Sequence, residues 1–374
     1  MKVEFYHHAL NEDDIQAVAG VLRSVFLTTG PAAAAFEQKF SHYTGLGFTV
    51  SLNSGTAALH LALFGLGIGP GDEVIVPAMT FIASVTPVWQ VGARPVLVDV
   101  SPQNGLIDVA KVEAAITPRT KAIIPVHLYG AMADMESLST LARKHGLFIV
   151  EDCAHCIEGR RDGIRPGQLA DAACYSFYAT KNLTCGEGGA LATNNPDLAK
   201  TALSLRQHGM NREAANRYTG VYQHWDMTTL GWKYNLSDIL AVLLVGQIDR
   251  LDTQWQRREH LCEEYDTLLR GTPGLDIPVR PGKSACHLYT AWVPGARRDN
   301  ILQELQKNGI GVAVNYRAIH TLKYFRENLG YTPEHFPVAL EIGHRTISLP
   351  LYPALLEEDV AYVCSTLREI LAAG

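Results

Sequence analysis

The feature that most constrains this chain is the alternation of short apolar runs with helical segments between Phe48 and Gln207. Phe48 to Leu52, Glu73 to Val76, Val96 to Val100, Ala122 to His127, Leu147 to Glu151, Ala172 to Tyr178 and Ala190 to Thr193 each read as a strand. Ala57 to Leu66, Ala83 to Val91, Val109 to Ile116, Met135 to His145 and Pro196 to Gln207 read as the helices around them. Strands that are apolar throughout are buried on both faces, so the pattern predicts an α/β fold: a mostly parallel sheet covered by helices. Ligands of such sheets bind at the carboxyl ends of the strands, which directs the search for function to a few loops.

The rest of the chain fixes the setting. Helices are expected over residues 11–25 and from Phe36 to Tyr43, and a polar stretch, Asn211 to Thr229, reads as a mobile connection. One long helix from Leu236 to about Leu269 then leads into a smaller C-terminal domain. At 374 residues the chain exceeds one ordinary core, and the expected division is a large domain over 1–250 and a small one over 251–374. The net charge is -6 and no basic block occurs, which argues against nucleic acid as a partner. The N-terminus lacks the pattern of a signal peptide, and the apolar stretches near Ala57 to Leu66 and Ile239 to Val245 are too short to cross a bilayer. A soluble cytoplasmic protein with no membrane partner is expected. The seven cysteines are scattered through apolar segments, as reduced thiols are. Cys153, His155 and Cys156 resemble metal ligands, yet no second cluster has zinc spacing, so no metal is expected. The glycines of Gly65 to Gly71 follow a helix and miss the spacing of a dinucleotide loop.

Chemistry is concentrated at the strand ends. Ala172 to Tyr178 delivers Lys181 to a glycine-rich turn, with no charged neighbour before Glu187. Most lysines are solvated surface charges, but a desolvated one loses its proton readily and can form a Schiff base. Asn53-Ser54-Gly55-Thr56 joins a strand to an apolar helix, where free amides and the helix dipole make a phosphate site or where Ser54 or Thr56 simply caps the helix. Asp152 ends a buried strand, as a helix cap or as the partner of a pyridinium nitrogen. His155 follows it, and Ser176 stands on the strand before Lys181; for each alone, packing is the ordinary explanation. A phosphate loop, a strand-end acid, a hydroxyl and a poised lysine in this chain order together match the needs of pyridoxal 5'-phosphate, or PLP.

Asn53 to Leu59, Pro77 to Phe81, Glu151 to His155, Ser176 to Gly189 and Gly231 to Leu236 resemble the DegT/DnrJ/EryC1/StrS family of PLP-dependent nucleotide-sugar aminotransferases. The resemblance runs essentially end to end. It implies a fold type I aminotransferase, with the large sheet domain followed by a smaller C-terminal α+β domain. Lys181 would then join the cofactor aldehyde as an imine and move protons, and Asp152 would pair with the ring nitrogen. Phe81 would stack on the ring, His155 would lie against it, and Gly55, Thr56 and Ser176 would hold the phosphate. Asn235 would reach that phosphate from the neighbouring subunit of a homodimer. Within the family, Lys233 to Leu236, Asn182 to Cys185 and Arg317 to Tyr324 resemble the UDP-4-amino-4-deoxy-L-arabinose:2-oxoglutarate aminotransferases. That likeness implies a nucleotide-linked 4-ketosugar, UDP-linked by preference, as acceptor, glutamate as donor, and His320 with Tyr316 facing the sugar-nucleotide. Amination of a 3-ketosugar and a non-transaminating PLP-binding sensor stay open. A PLP-dependent sugar dehydratase is disfavoured, because the dehydratases of the family resemble it with histidine in place of the lysine.

Overall fold

The computed structural model describes residues 1–211 and 224–373, so the middle of the polar stretch Asn211 to Thr229 lies outside the described residues. Seven strands form the large sheet: β1 (Phe48–Leu52), β2 (Glu73–Pro77), β3 (Arg94–Val98), β4 (Thr120–Ile123), β5 (Phe148–Asp152), β6 (Ala172–Ser176) and β7 (Gly189–Thr193). Their order is β1-β7-β6-β5-β4-β2-β3. β7 runs antiparallel to β1 and β6, and the remaining pairings are parallel. The mostly parallel, helix-covered sheet expected from the apolar runs is therefore present.

The helix Gly55–Gly65 decides where the site forms. It is apolar on all sides, with Ala57 through Leu63 buried, and a helix of that kind must be enclosed. It lies against β5, β6 and β7 and under the helices Thr86–Gln90 and Pro196–Leu205. Ser54 caps it, its Oγ accepting from the Ala57 amide at 3.1 Å. Burial on every side thus holds the N-terminus of this helix over the carboxyl ends of β1 and β6. On the opposite face Phe36 and Phe40, from the helix Pro31–Thr44, meet Phe177 and Tyr175 edge-on, with ring centroids 4.9 Å to 5.6 Å apart.

The single helix expected from Leu236 to Leu269 is two helices, Asp238–Ile248 and Leu251–Leu269, which turn at Asp249 and Arg250. The first is apolar all round and belongs to the covering layer of the large sheet. The second is amphipathic and carries Leu261, Tyr265 and Leu269 into another core. There they pack with a two-stranded antiparallel sheet, β8 (Tyr289–Trp292) and β9 (Thr346–Leu349), and with Val363 and Leu367 of the last helix. Val3 joins this core, and its backbone pairs with Gly309 and Gly311 at 2.9 Å and 2.8 Å. Ile319, Phe325, Ala339 and Ile342 return to pack on the core of the large sheet. No helix among the described residues is long and apolar enough to cross a membrane. All seven cysteines are buried and free.

Candidate active site

A cleft of about 570 Å³, within the size range of small-molecule sites, opens at the carboxyl ends of the parallel strands. β1 leads into Ser54, Gly55 and Thr56, β2 into Thr80 and Phe81, β5 ends on Asp152, and β6 ends on Ser176. The reversed strand β7 contributes its entry, Glu187 and Gly188. Because the Ser54 hydroxyl takes the Ala57 amide, the first-turn amides of Gly55 and Thr56 are left for a ligand. Glycine is required there: a Cβ at Gly55 would stand 2.9 Å from Ser176 Cβ and 3.2 Å from the Tyr175 carbonyl oxygen.

Asp152 is 6% exposed and held by both oxygens. Oδ2 accepts from Ser84 Oγ at 2.6 Å, and Oδ1 accepts from the Ala154 amide at 3.0 Å. Ser84 Oγ is in turn 2.7 Å from Thr80 Oγ1. No helix begins directly after β5 among the described residues, which removes the helix-cap explanation for this carboxylate. Lys181 lies in the turn after β6, its amide donating to Tyr178 O at 2.9 Å. Burial lowers its amine from the ordinary 10.5 to about 8, against the pull of Asp152 in the other direction. No ion pair neutralises it among the described residues.

His155 is buried beside the cleft. Its Nδ1 accepts from the Tyr129 amide at 3.2 Å, so the neutral ring carries its proton on Nε2, 3.1 Å from the Tyr316 hydroxyl. Burial, then the nearby Lys181 and His287, hold this imidazole well below its usual range. The Tyr316 oxygen accepts from His155, which leaves its own hydroxyl proton for a group in the cleft. Burial also raises this phenol, so the proton stays on. Phe81 stands half-exposed at the mouth, its ring 5.3 Å from that of Tyr316.

Gly55, Thr56, Phe81, Asp152, His155, Ser176, Lys181 and Tyr316 are thus brought together, whereas His320 and Asn235 are not. His320 is fully buried, donating from Nε2 to Pro333 O at 2.9 Å with its ring edge-on to Phe336. Asn235 lies outside the cleft of its own chain, and its Nδ2 donates to the hydroxyls of Thr28 and Thr29 at 2.9 Å and 3.0 Å. Cys156 Sγ bonds Gly130 O while His155 turns to the cleft, so the two do not converge on one point with Cys153. Sequence reasoning missed Ser84 and His287. Only the spacing of Ser84 from Thr80 hinted at the former, and His287 reaches the cleft from more than a hundred positions beyond Asn182.

The donor set fits PLP. Helix amides and Ser176 suit a phosphate, a fixed carboxylate suits a protonated ring nitrogen, and a lysine with a lowered pKa suits an aldehyde.

Comparisons with known proteins agree. A family profile described as the DegT/DnrJ/EryC1/StrS aminotransferase family matches residues 8–368. Spore coat polysaccharide biosynthesis protein SpsC of Bacillus subtilis (strain 168) is 39% identical over 370 residues, covering 97% of this chain and 95% of its own length. The PMP-form structure of a putative sugar aminotransferase, Spr1654 from Streptococcus pneumoniae, is 34% identical, covers 100% of both chains and superposes with a TM-score of 0.94. DesV of S. venezuelae, solved in complex with a ketimine intermediate, is 37% identical over 96% of this chain and 94% of its own, with a TM-score of 0.89.

Proposed function

Because this chain belongs to the DegT/DnrJ/EryC1/StrS aminotransferase family and works with PLP, we propose that it moves an amino group from glutamate to C4 of a nucleotide-linked 4-ketosugar. The observation that carries the proposal is the meeting of Lys181, Asp152 and the Gly55–Thr56 amides in one cleft at the strand ends. When bound, PLP supplies an aldehyde that carries the amino group between two substrates and a ring that draws electrons from the carbon being deprotonated.

The chain's own residues then have separate tasks. Gly55, Thr56 and Ser176 hold the phosphate. Asp152, oriented by Ser84 and Ala154, keeps a proton on the ring nitrogen through both halves of the reaction. Phe81 and the neutral His155 confine the ring. Nζ of Lys181, partly neutral near pH 8, takes the proton from the donor α-carbon and returns one at the sugar carbon. Tyr316 offers its hydroxyl proton to the sugar-nucleotide.

A sugar as second substrate is supported by the names of SpsC and Spr1654. The choice of C4 and of a UDP-linked sugar rests on the likeness of residues 182–185, 233–236 and 317–324 to the arabinose-series enzymes. His320 belongs to that likeness, and to face the sugar-nucleotide its ring would have to leave Pro333 O. A homodimer with shared sites is part of the proposal, with Asn235 of the partner subunit completing the phosphate site. Exposed Val25, Leu27 and Leu230, on segments flanking Asn235, supply apolar surface for such an interface. Incubating the PLP-loaded protein with glutamate alone tests the first half: 2-oxoglutarate should form in an amount matching the enzyme, with a changed cofactor spectrum. An unchanged spectrum and no 2-oxoglutarate would favour a sensor.

A further inference from the structure

Beneath Lys181 runs a buried polar chain that the proposed reaction does not use. Arg258, 2% exposed, donates to Glu158 Oε1 at 2.5 Å. Glu158, also buried, accepts from Asn182 Nδ2 at 3.3 Å and 3.2 Å through its two oxygens. The same Nδ2 donates to Ala285 O at 2.9 Å. Both of its targets can only accept, so the orientation of the Asn182 amide is fixed and its Oδ1 can only receive. That oxygen is 3.1 Å from His287 Nδ1, which must therefore be the donor. The chain prescribes one tautomer: proton on Nδ1, lone pair on Nε2.

No hydrogen bond from His287 Nε2 is made among the described residues, and none from Lys181 Nζ either. Lys181 and His287 line the main cleft together, and together they border a small polar cavity reached by Tyr6, Gln254 and Arg258. One has donors without an acceptor and the other an acceptor without a donor. We propose that His287 is a positioning residue for Lys181: its Nε2, held unprotonated by the Arg258–Glu158–Asn182 chain, is the acceptor to which the lysine amine turns when the pyridoxamine form of the cofactor fills the cleft. The groups facing His287 are Lys181, His155, whose ring centroid is 4.5 Å away, Arg258 and Asn182. Burial and the two cations favour the neutral ring, so the acceptor is kept through the neutral pH range. Since Asn182 directly follows Lys181, one side chain anchors both the lysine's turn and its acceptor.

This inference rests on the proposed role of Lys181, and its test separates the two. The protein labelled with ¹⁵N-histidine is loaded with pyridoxamine 5'-phosphate, in which form the Lys181 amine is free, and the His287 signals are assigned by their loss in His287→Asn. The expected spectrum has a protonated Nδ1 and an unprotonated Nε2, and Lys181→Ala shifts the Nε2 resonance while Nδ1 stays. His287→Asn retains a donor for Asn182, so it should keep its fold and cofactor affinity yet lose about tenfold in kcat, the scale of one hydrogen bond. His287→Gln, which restores an acceptor further out, should recover part of that loss. A protonated Nε2 in wild-type protein, an Nε2 signal indifferent to Lys181→Ala, or full activity in His287→Asn would each overturn the assignment while leaving the aminotransferase reading intact. Failure of the wild-type protein to bind pyridoxamine 5'-phosphate would overturn both.

Discussion

In the proposed reaction two side chains near neighbouring strand ends, Lys181 and Asp152, carry the chemistry, and both owe their properties to where the sheet puts them. Lys181 is enclosed, and enclosure disfavours its charged form. Below about pH 8 the ammonium has no lone pair, and above it the amine does. Acylation of Lys181 in cofactor-free protein should therefore climb through pH about 8 and level off, where an exposed lysine would still be climbing toward 10.5. A midpoint near the exposed value, read by peptide mass spectrometry, would remove the argument from burial. Asp152 is oriented by Ser84 and Ala154, so Asp152→Asn keeps the shape and loses the charge. Turnover should fall by about a hundredfold or more, while cofactor affinity changes far less, because the charge matters most when electrons move into the ring. Near-normal turnover would leave Asp152 a structural group.

At the scale of elements, the decisive piece is the helix Gly55–Gly65, whose all-round burial fixes where its free amides point. Gly55→Ala would press a methyl against Ser176 and the Tyr175 carbonyl. We expect a stability loss of about 1–3 kcal/mol, as for other overpacked sites, and weaker PLP binding, measured by thermal melting and cofactor titration. An unaltered variant would mean that the helix start yields freely. These elements were legible in the sequence because each is a local pattern: an apolar run, a small polar loop, a strand-end acid, a lysine before glycines. Ser84 and His287 were not, since their meaning comes from contacts 68 and 105 positions away. The turn at Asp249 and Arg250 was equally hidden, as no glycine or proline marks it and only tertiary packing separates the two helices. His320 sits in a recognisable motif, but the fold spends its Nε2 on Pro333, a contact no local pattern announces.

At the scale of the whole molecule, each site of the proposed homodimer belongs to two chains. If Asn235 of the partner subunit completes the phosphate site, Lys181→Ala and Asn235→Ala should each be nearly inactive alone, yet a mixed dimer holds one site with both residues intact. With random exchange of equal amounts, about one site in four should be wild-type in composition, given a two-fold interface. Activity should return on co-expression, with the mixed dimer isolated by two tags, and activity no higher than either parent would place both residues in one chain or take Asn235 out of the site. The amino transfer itself is tested most directly by following the nitrogen. The enzyme is given [¹⁵N]glutamate with UDP-, dTDP- and GDP-linked 4-ketosugars, and the product is examined by mass spectrometry and by ¹⁵N–¹³C correlation. The expected result is ¹⁵N bonded to C4 of the sugar, one 2-oxoglutarate per nitrogen transferred, the UDP-linked acceptor preferred, and no labelled sugar with Lys181→Ala. Label at C3, or no label in any sugar while the enzyme is loaded with PLP, would contradict it.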